Sequence, residues 1–421
     1  MLKACKLIII SFFLFGFTIF TGCSNDPVSP VVNTITVTGK VTNYAGAPIS
    51  GVSAGINGVT TITSSDGSFS VNNVTVPYDL KLMQINGTHT TCIEYAGLTT
   101  ASPVVSPLGL TSTHFTANLN VILPSSIVKQ AIITYSNGVV EYSLDRIFPG
   151  KELSVEFPNE NPGTGNVMVL VVTTNSDGKI VSYDNFGMKS GVMLTIGSTT
   201  NINFTSADLS TDPGEQFVTG NITNPSGYGD SHYEYMLSYN SSVNLIKHGT
   251  FLVGNSTAGD NFNEPVPTGL PVPLRIAVRA FSIDMTLGSF SEKFHFLNPA
   301  ISDNSFTVEA APIMISPADN SVNVDSASYF SYTLGGAGGV HILHIESPNL
   351  SYYIYSTSEN VKFPSFNEFG IIPASGTVFN WYISEYMGSL TTDDHASASD
   401  NYNLHQNGLT QTNNRVFTFI K

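Results

Sequence analysis

Gly51-Val52-Ser53-Ala54-Gly55 has the spacing of a nucleophile elbow, where a strained strand-to-helix turn exposes a serine to a histidine and an acid. The flanking residues read as strand with no helix after them, so the turn that would give the spacing its chemistry is missing. Ser126-Ile127-Val128-Lys129 has the Ser-x-x-Lys spacing, which needs a helical turn to bring amine to hydroxyl, and its context also reads as strand. His232-x-Glu234 and His344-x-Glu346 each put two candidate ligands on one strand face. Neither pair has the third and fourth ligands of a metal site nearby, and both read as surface polar faces. Asp393-Asp394-His395 with Asp400 offers oxygens for calcium, but without EF-hand spacing, and reads as solvated loop. Gly335-Gly336-Ala337-Gly338-Gly339 is a turn between strands rather than a phosphate cradle, because no Lys-Ser/Thr follows. These residues predict no catalytic site, no metal and no cofactor.

Aromatic residues carry the most suggestive binding pattern. Tyr233, Tyr235, Leu237 and Tyr239 alternate onto one strand face, and Tyr353 and Tyr355 do the same. Exposed, such rings stack on sugars or partner side chains; buried, they fill a core. Cys92, in the strand-like run Thr90-Thr91-Cys92-Ile93-Glu94, reads as a small buried hydrophobe.

The elements that must position these residues are strands. The 421 residues suggest three or four domains. Only 11% are charged, against about 25% in typical globular proteins, while 26 Phe and 18 Tyr argue against disorder. From residue 34 onward, short β-rich runs such as Thr36–Val41, Val167–Val172, Leu274–Arg279 and Arg415–Ile420 alternate with turns such as Asp66-Gly67, Asn137-Gly138 and Asp177-Gly178. No long amphipathic helix interrupts them, so the expectation is all-β, a tandem series of β-sandwiches. The net charge of −15 excludes nucleic acid and an anionic bilayer surface as natural partners. Loss of Lys3 and Lys6 with a leader would take it to −17.

Met1–Lys6 is short and basic, Leu7–Phe20 is apolar, and Thr21-Gly22-Cys23 follows, the three-part layout of a secretory signal. This stretch of fourteen residues falls short of the about 20 that a spanning helix needs. Phe20-Thr21-Gly22-Cys23 resembles the lipobox of bacterial lipoproteins, although Phe20 stands where that family usually has an aliphatic residue. The resemblance implies cleavage between Gly22 and Cys23 and lipid attachment at Cys23. Two or three acyl chains at about 0.8 kcal/mol per buried methylene make such a tether durable. Cleavage also leaves Cys92 alone, so no intrachain disulfide is expected. The expected layout is a signal peptide at 1–22, a Pro/Ser/Asn linker at 23–33, and β-sandwiches at 34–123, 124–212, 213–311 and 312–421.

Gly39-Lys40-Val41-Thr42-Asn43, Gly46-Ala47-Pro48-Ile49-Ser50-Gly51-Val52 and Thr63-Ser64-Ser65-Asp66-Gly67-Ser68-Phe69-Ser70-Val71 resemble the carboxypeptidase regulatory-like family. That resemblance implies a prealbumin-like sandwich over 34–123, with Phe69, Val71 and Val74 alternating inward. It implies no peptidase, since neither His-x-x-Glu nor His-Glu-x-x-His occurs. Thr219-Gly220-Asn221-Ile222-Thr223-Asn224 echoes Thr38–Asn43 as an analogous start. The final segment, with Phe330-Ser331-Tyr332, His341–Ile345 and Phe379-Asn380-Trp381-Tyr382-Ile383, is similar to fibronectin type III and immunoglobulin-like domains, with its Trp on a late strand. Ser389–Asn414 reads as one long loop before the last strand.

The expected function is a non-catalytic, lipid-anchored cell-envelope protein at the outer membrane or cell surface, a modular scaffold for adhesion or protein interaction. The alternative is a carbohydrate-binding lipoprotein of a glycan-uptake system, and a third is an enzyme whose site lies in 124–311. Exposed aromatic platforms in a groove favour sugar binding, buried ones favour the scaffold, and paired carboxylates in a cleft favour the enzyme.

Overall fold

The computed structural model describes residues 34–43, 46–110, 115–126, 130–137, 141–144, 152–157, 160–176, 180–238, 261–271, 275–336, 339–386, 391–397 and 409–421, with the backbone alone for 141–144, 230–238 and 275–276. The all-β expectation holds: the described residues form six sheets, and the one α-helix among them is the six-residue Thr392–Ser397.

A single strand plan recurs along the chain. Thr34–Val41 lies between Ser68–Thr75, antiparallel to it, and Val104–Val105, parallel to it. Phe115–Ile122 is flanked the same way by Glu152–Phe157 and Thr199–Asn203. Gln216–Thr223 repeats the arrangement with Asn261–Val266 and Phe306–Thr307. The last unit departs from this plan: Tyr329–Thr333 is antiparallel to both Ile313–Ser316 and Asn360–Lys362, and the parallel pair, Ser321–Val324 with Arg415–Phe419, lies in another sheet. Each three-stranded sheet packs on a second sheet, giving sandwiches over 34–105, 115–203, 216–307 and 313–419.

The short echo between Thr38–Asn43 and Thr219–Asn224 marks structurally equivalent strands. Gly39 stands opposite Phe69 and Gly220 opposite Phe262. In both pairs the far end of the aromatic ring lies against the glycine, so that a methyl there would overlap the ring. Glycine is therefore required for close approach.

Alternation sets which side chains enter each core. Phe69 and Val71 are buried in the first, as alternation predicts, whereas Val74, an odd step further on, is buried because a bulge at Asn72-Asn73, with Asn73 at φ 58°, shifts the register. Val167–Val172 is apolar at every position for a different reason. Val167, Val169 and Val171 fill the second sandwich, while Met168, Leu170 and Val172 pack against Val218, Phe262 and Val278 of the third. A strand buried on both faces loses its alternation. The Tyr183 hydroxyl fixes this contact by donating to the Pro265 carbonyl at 2.9 Å.

The sandwiches are not strung end to end. A thirteen-stranded sheet runs through three of them. It starts with Tyr228–Ser238, Arg275–Asp284 and Phe290–Phe296 of the third. Leu409–Gln411 then bridges to Val378–Tyr386, His341–Ser347 and Leu350–Ser356 of the last. Leu350–Ser356 pairs in parallel with His89–Leu98 of the first, in register from Leu350 with Thr90 to Tyr355 with Tyr95. Tyr78–Asn86, Ser53–Ile56 and Val59–Ile62 follow, and Arg415–Phe419 on Val378–Tyr386, with Ser321–Val324 beside it, brings the strands to thirteen. The first core accordingly includes Val340, Ile342, Tyr355, Tyr386 and Ala396 from the far end of the chain.

The expectation of one long loop over Ser389–Asn414 is corrected by the helix Thr392–Ser397 and the strand Leu409–Gln411. Thr391 starts the helix: its hydroxyl donates to Asp394 Oδ2 at 2.8 Å, and the Asp394 amide donates back to it at 3.1 Å.

Candidate functional site

His341–Ser347 presents two faces. Leu343 and Ile345 enter the core of the last sandwich, while Ile342, in phase with His344 on the other face, packs in the core of the first. His344 is the centre of a row across three strands, with Tyr382 on one side and Tyr353 on the other. Its ring stacks on Tyr382, centroids 4.1 Å apart and planes 13° from parallel, and meets Tyr353 edge-on at 5.2 Å. One step along the same face, Glu346 accepts from the Tyr382 hydroxyl at 3.3 Å. His344 Nδ1 is 3.9 Å from Glu346 Oε1, beyond hydrogen-bond length.

Burial holds His344 below the usual imidazole value despite Glu346. Glu346 is held below the carboxylate range, chiefly by His344, with burial opposing. Burial pushes the Tyr353 phenol up to about 12. A neutral imidazole, a carboxylate and two phenols at this spacing can exchange hydrogen bonds with hydroxyl or amide groups. The expectation of a surface polar face at His344-x-Glu346 is corrected for His344, which is buried between Tyr353 and Tyr382, while Glu346 stays half-buried.

Tyr353 and Tyr355 do share a face, and that face turns towards the first sandwich. Tyr355 is fully buried and its hydroxyl accepts from the Leu108 amide at 2.9 Å, whereas Tyr353 is half-buried. Cys92 is free and buried against the last core, as its context predicts.

Asp393, Asp394 and His395 point three ways, which corrects their reading as a solvated loop. Asp393 reaches the first sandwich, accepting from the Thr99 and Thr100 amides at 2.9 and 3.1 Å and from the Thr99 hydroxyl. Asp394 caps its own helix, and His395 is buried 4.9 Å from the Tyr355 ring. Asp400 lies outside the described residues. Among the described residues, no group of three or more His, Cys, Asp or Glu is placed to hold a metal ion.

Ser53 lies in Ser53–Ile56, with the extended strand Val59–Ile62 after it instead of a helix, so Gly51–Gly55 forms no elbow. His232, Tyr233, Glu234, Tyr235 and Leu237 lie in Tyr228–Ser238, paired with Arg275–Asp284. Gly22, Cys23, Lys129 and Tyr239 lie outside the described residues.

A groove of about 220 Å3 opens where the third and last sandwiches meet, lined by Leu287, Ser289, Pro312, Asp319 and Asn413 among others. Arg415 at its edge is engaged internally, donating to the carbonyls of Met314, Pro317 and Ile315 at 2.7 to 3.2 Å and lying 6.0 Å from the Trp381 ring.

Sequence reasoning missed Tyr382, Tyr95 and Tyr386, whose value comes from cross-strand register. Only Tyr382 left a signal, as an outward-phased neighbour of Trp381.

The fold defines a class: an all-β protein of several sandwiches with a sheet continuous across them. No family model matches the chain, and no curated protein matches it. A solved structure described as a Ca2+-stabilized adhesin that helps an Antarctic bacterium reach out and bind ice aligns with 91% of this chain and 99% of its own length. The identity is 12% and the TM-score 0.15, a likeness that carries no argument about this chain. No helix among the described residues is long and apolar enough to cross a membrane.

Proposed function

We propose that the chain is a non-catalytic, lipid-anchored protein of the cell envelope, held at the outer membrane or cell surface through Cys23, and that its sandwiches form a scaffold for adhesion or protein interaction. The observation that carries the scaffold reading is the thirteen-stranded sheet, which joins the first, third and last sandwiches through backbone hydrogen bonds. Such a body presents its remaining faces at fixed spacing. The Phe20–Cys23 motif and the 23–33 linker support the tether. The low charge and net acidity fit a protein partner better than nucleic acid.

The test is intact mass of the membrane-extracted protein beside a Cys23→Ala variant followed through fractionation. An acylated Cys23 as the new N-terminus, with the variant in the soluble fraction, supports the tether. An unmodified Cys23 and a soluble wild type sink it.

One observation favours a carbohydrate ligand as the second reading. Tyr353, Tyr382 and Glu346 stay half-buried rather than fully packed, so two aromatic rings flank a carboxylate. Glycan-array binding that disappears in both Tyr353→Ala and Tyr382→Ala would establish it; binding that survives both places any sugar site elsewhere.

A further inference from the structure

The seam between the first and last sandwiches holds a compact set of charged side chains beside its backbone ladder. Lys81, on Tyr78–Asn86, places Nζ 3.2 Å from Glu368 Oε1 and donates to the Ser365 carbonyl at 2.6 Å. It also lies 5.5 Å over the Phe366 ring. These three partners belong to the last sandwich, and the Lys81 and Glu368 side chains are only 19% and 15% exposed.

Directly across the strand pair from Lys81 is Glu94, on the strand that makes the parallel joint, where its neighbour is Ile354. The charged groups facing Glu94 are Lys81 and Asp79 from Tyr78–Asn86 and Glu368 from the short turn Asn367–Phe369. Glu94 therefore faces one cation and two carboxylates. Burial pushes the Glu94 carboxyl up to about 7; Lys81 pulls it back, and Asp79 and Glu368 push it further.

We propose that this seam is a pH-responsive joint, closed while Glu94 carries its proton and loosened when Glu94 ionises beside Glu368 and Asp79. A group whose folded pKa lies above its free value stabilises the folded arrangement below the free value. That contribution is lost as pH rises through the folded one. For Glu94 the window runs from its ordinary 4.5 to about 7, so the joint weakens towards and above neutrality.

Amide hydrogen exchange on the full chain between pH 6 and 8, corrected for intrinsic rates, reads the joint through His89–Leu98 and Leu350–Ser356. Thr164–Thr174, remote from the seam, serves as internal standard. The shift corresponds to a roughly tenfold rise in seam opening over that interval, with the standard unchanged and a flat profile in Glu94→Gln. His89 also stands in the seam, its ring nitrogens 3.1 Å from the Pro348 carbonyl and the Ser351 hydroxyl. His89→Gln is expected to keep the rise. Glu368→Gln, which retains Glu94 and removes a neighbouring negative charge, is expected to move the midpoint to lower pH. A flat wild-type profile, an equal rise in Glu94→Gln, or an unmoved midpoint in Glu368→Gln overturns the proposal.

Discussion

Tyr95 and Tyr355 lie face to face, ring centroids 4.3 Å apart and planes 8° from parallel, although one belongs to the first sandwich and the other to the last. Both are fully buried, so the stack helps hold the parallel joint in register. Tyr355→Ala is expected to cost about 3–5 kcal/mol, as other large aromatic truncations in cores do. A double-mutant cycle with Tyr95→Ala, followed by urea unfolding, should return a coupling of about 0.5–1.5 kcal/mol. Strict additivity would show that the stack contributes nothing beyond the burial of each ring.

Asp393 is a second tie across the same joint. Burial raises its pKa, but the Thr99 and Thr100 donors outweigh that, and the net direction is down. A lowered folded pKa gives stability that is present above the free carboxylate value and lost as pH falls through the folded one. Asp393→Ala should weaken helix docking by about 1 kcal/mol, a modest figure because the carboxylate is part-exposed. Limited proteolysis near 391–397 is expected to speed up in the variant at neutral pH, and in the wild type only in strong acid.

Gly39→Ala and Gly220→Ala should be destabilising to a similar degree, about 1–3 kcal/mol each, because each methyl meets a ring in a filled core. Thermal melting of the two variants checks this. A harmless Gly220→Ala would mean that the two strands are not equivalent.

Trp381, the only tryptophan, is fully buried, with Phe330 edge-on at 5.0 Å. Native emission should be blue-shifted and resistant to iodide, turning red as the last sandwich unfolds. Burial pushes the Cys92 thiol up to about 12, so it should stay unlabelled by a maleimide until that same transition. Labelling that precedes the red shift would show the joint opening before the last sandwich melts.

Much of this architecture is legible locally. Phe69 and Val71 announce an inward face by alternation, while Val74 joins them only through the bulge at Asn73, and the unbroken apolar run Val167–Val172 marks a strand covered on both sides. The joint is not legible, because the alternation of His89–Leu98 is the same whether its outer edge meets water or Leu350–Ser356. Edge pairing is made by backbone groups that every residue carries. The Tyr382, His344 and Tyr353 row was half-visible: His344-x-Glu346 and Tyr353 stand out in the sequence, but only register sets Tyr382 beside them. Thr392–Ser397 was missed because six residues are too few for helical periodicity, although Thr391 and Asp394 have the capping spacing.

Ribosomes deliver a chain from its N-terminus, and that order matters for a protein whose first and last sandwiches interlock. Leu108 and Tyr355, in hydrogen-bond contact, are 247 positions apart. Until the second arrives, the outer edge of His89–Leu98 has no strand to meet, and it remains a sticky template on a nascent chain. The first sandwich is therefore made well before the last and cannot be completed until the last has arrived.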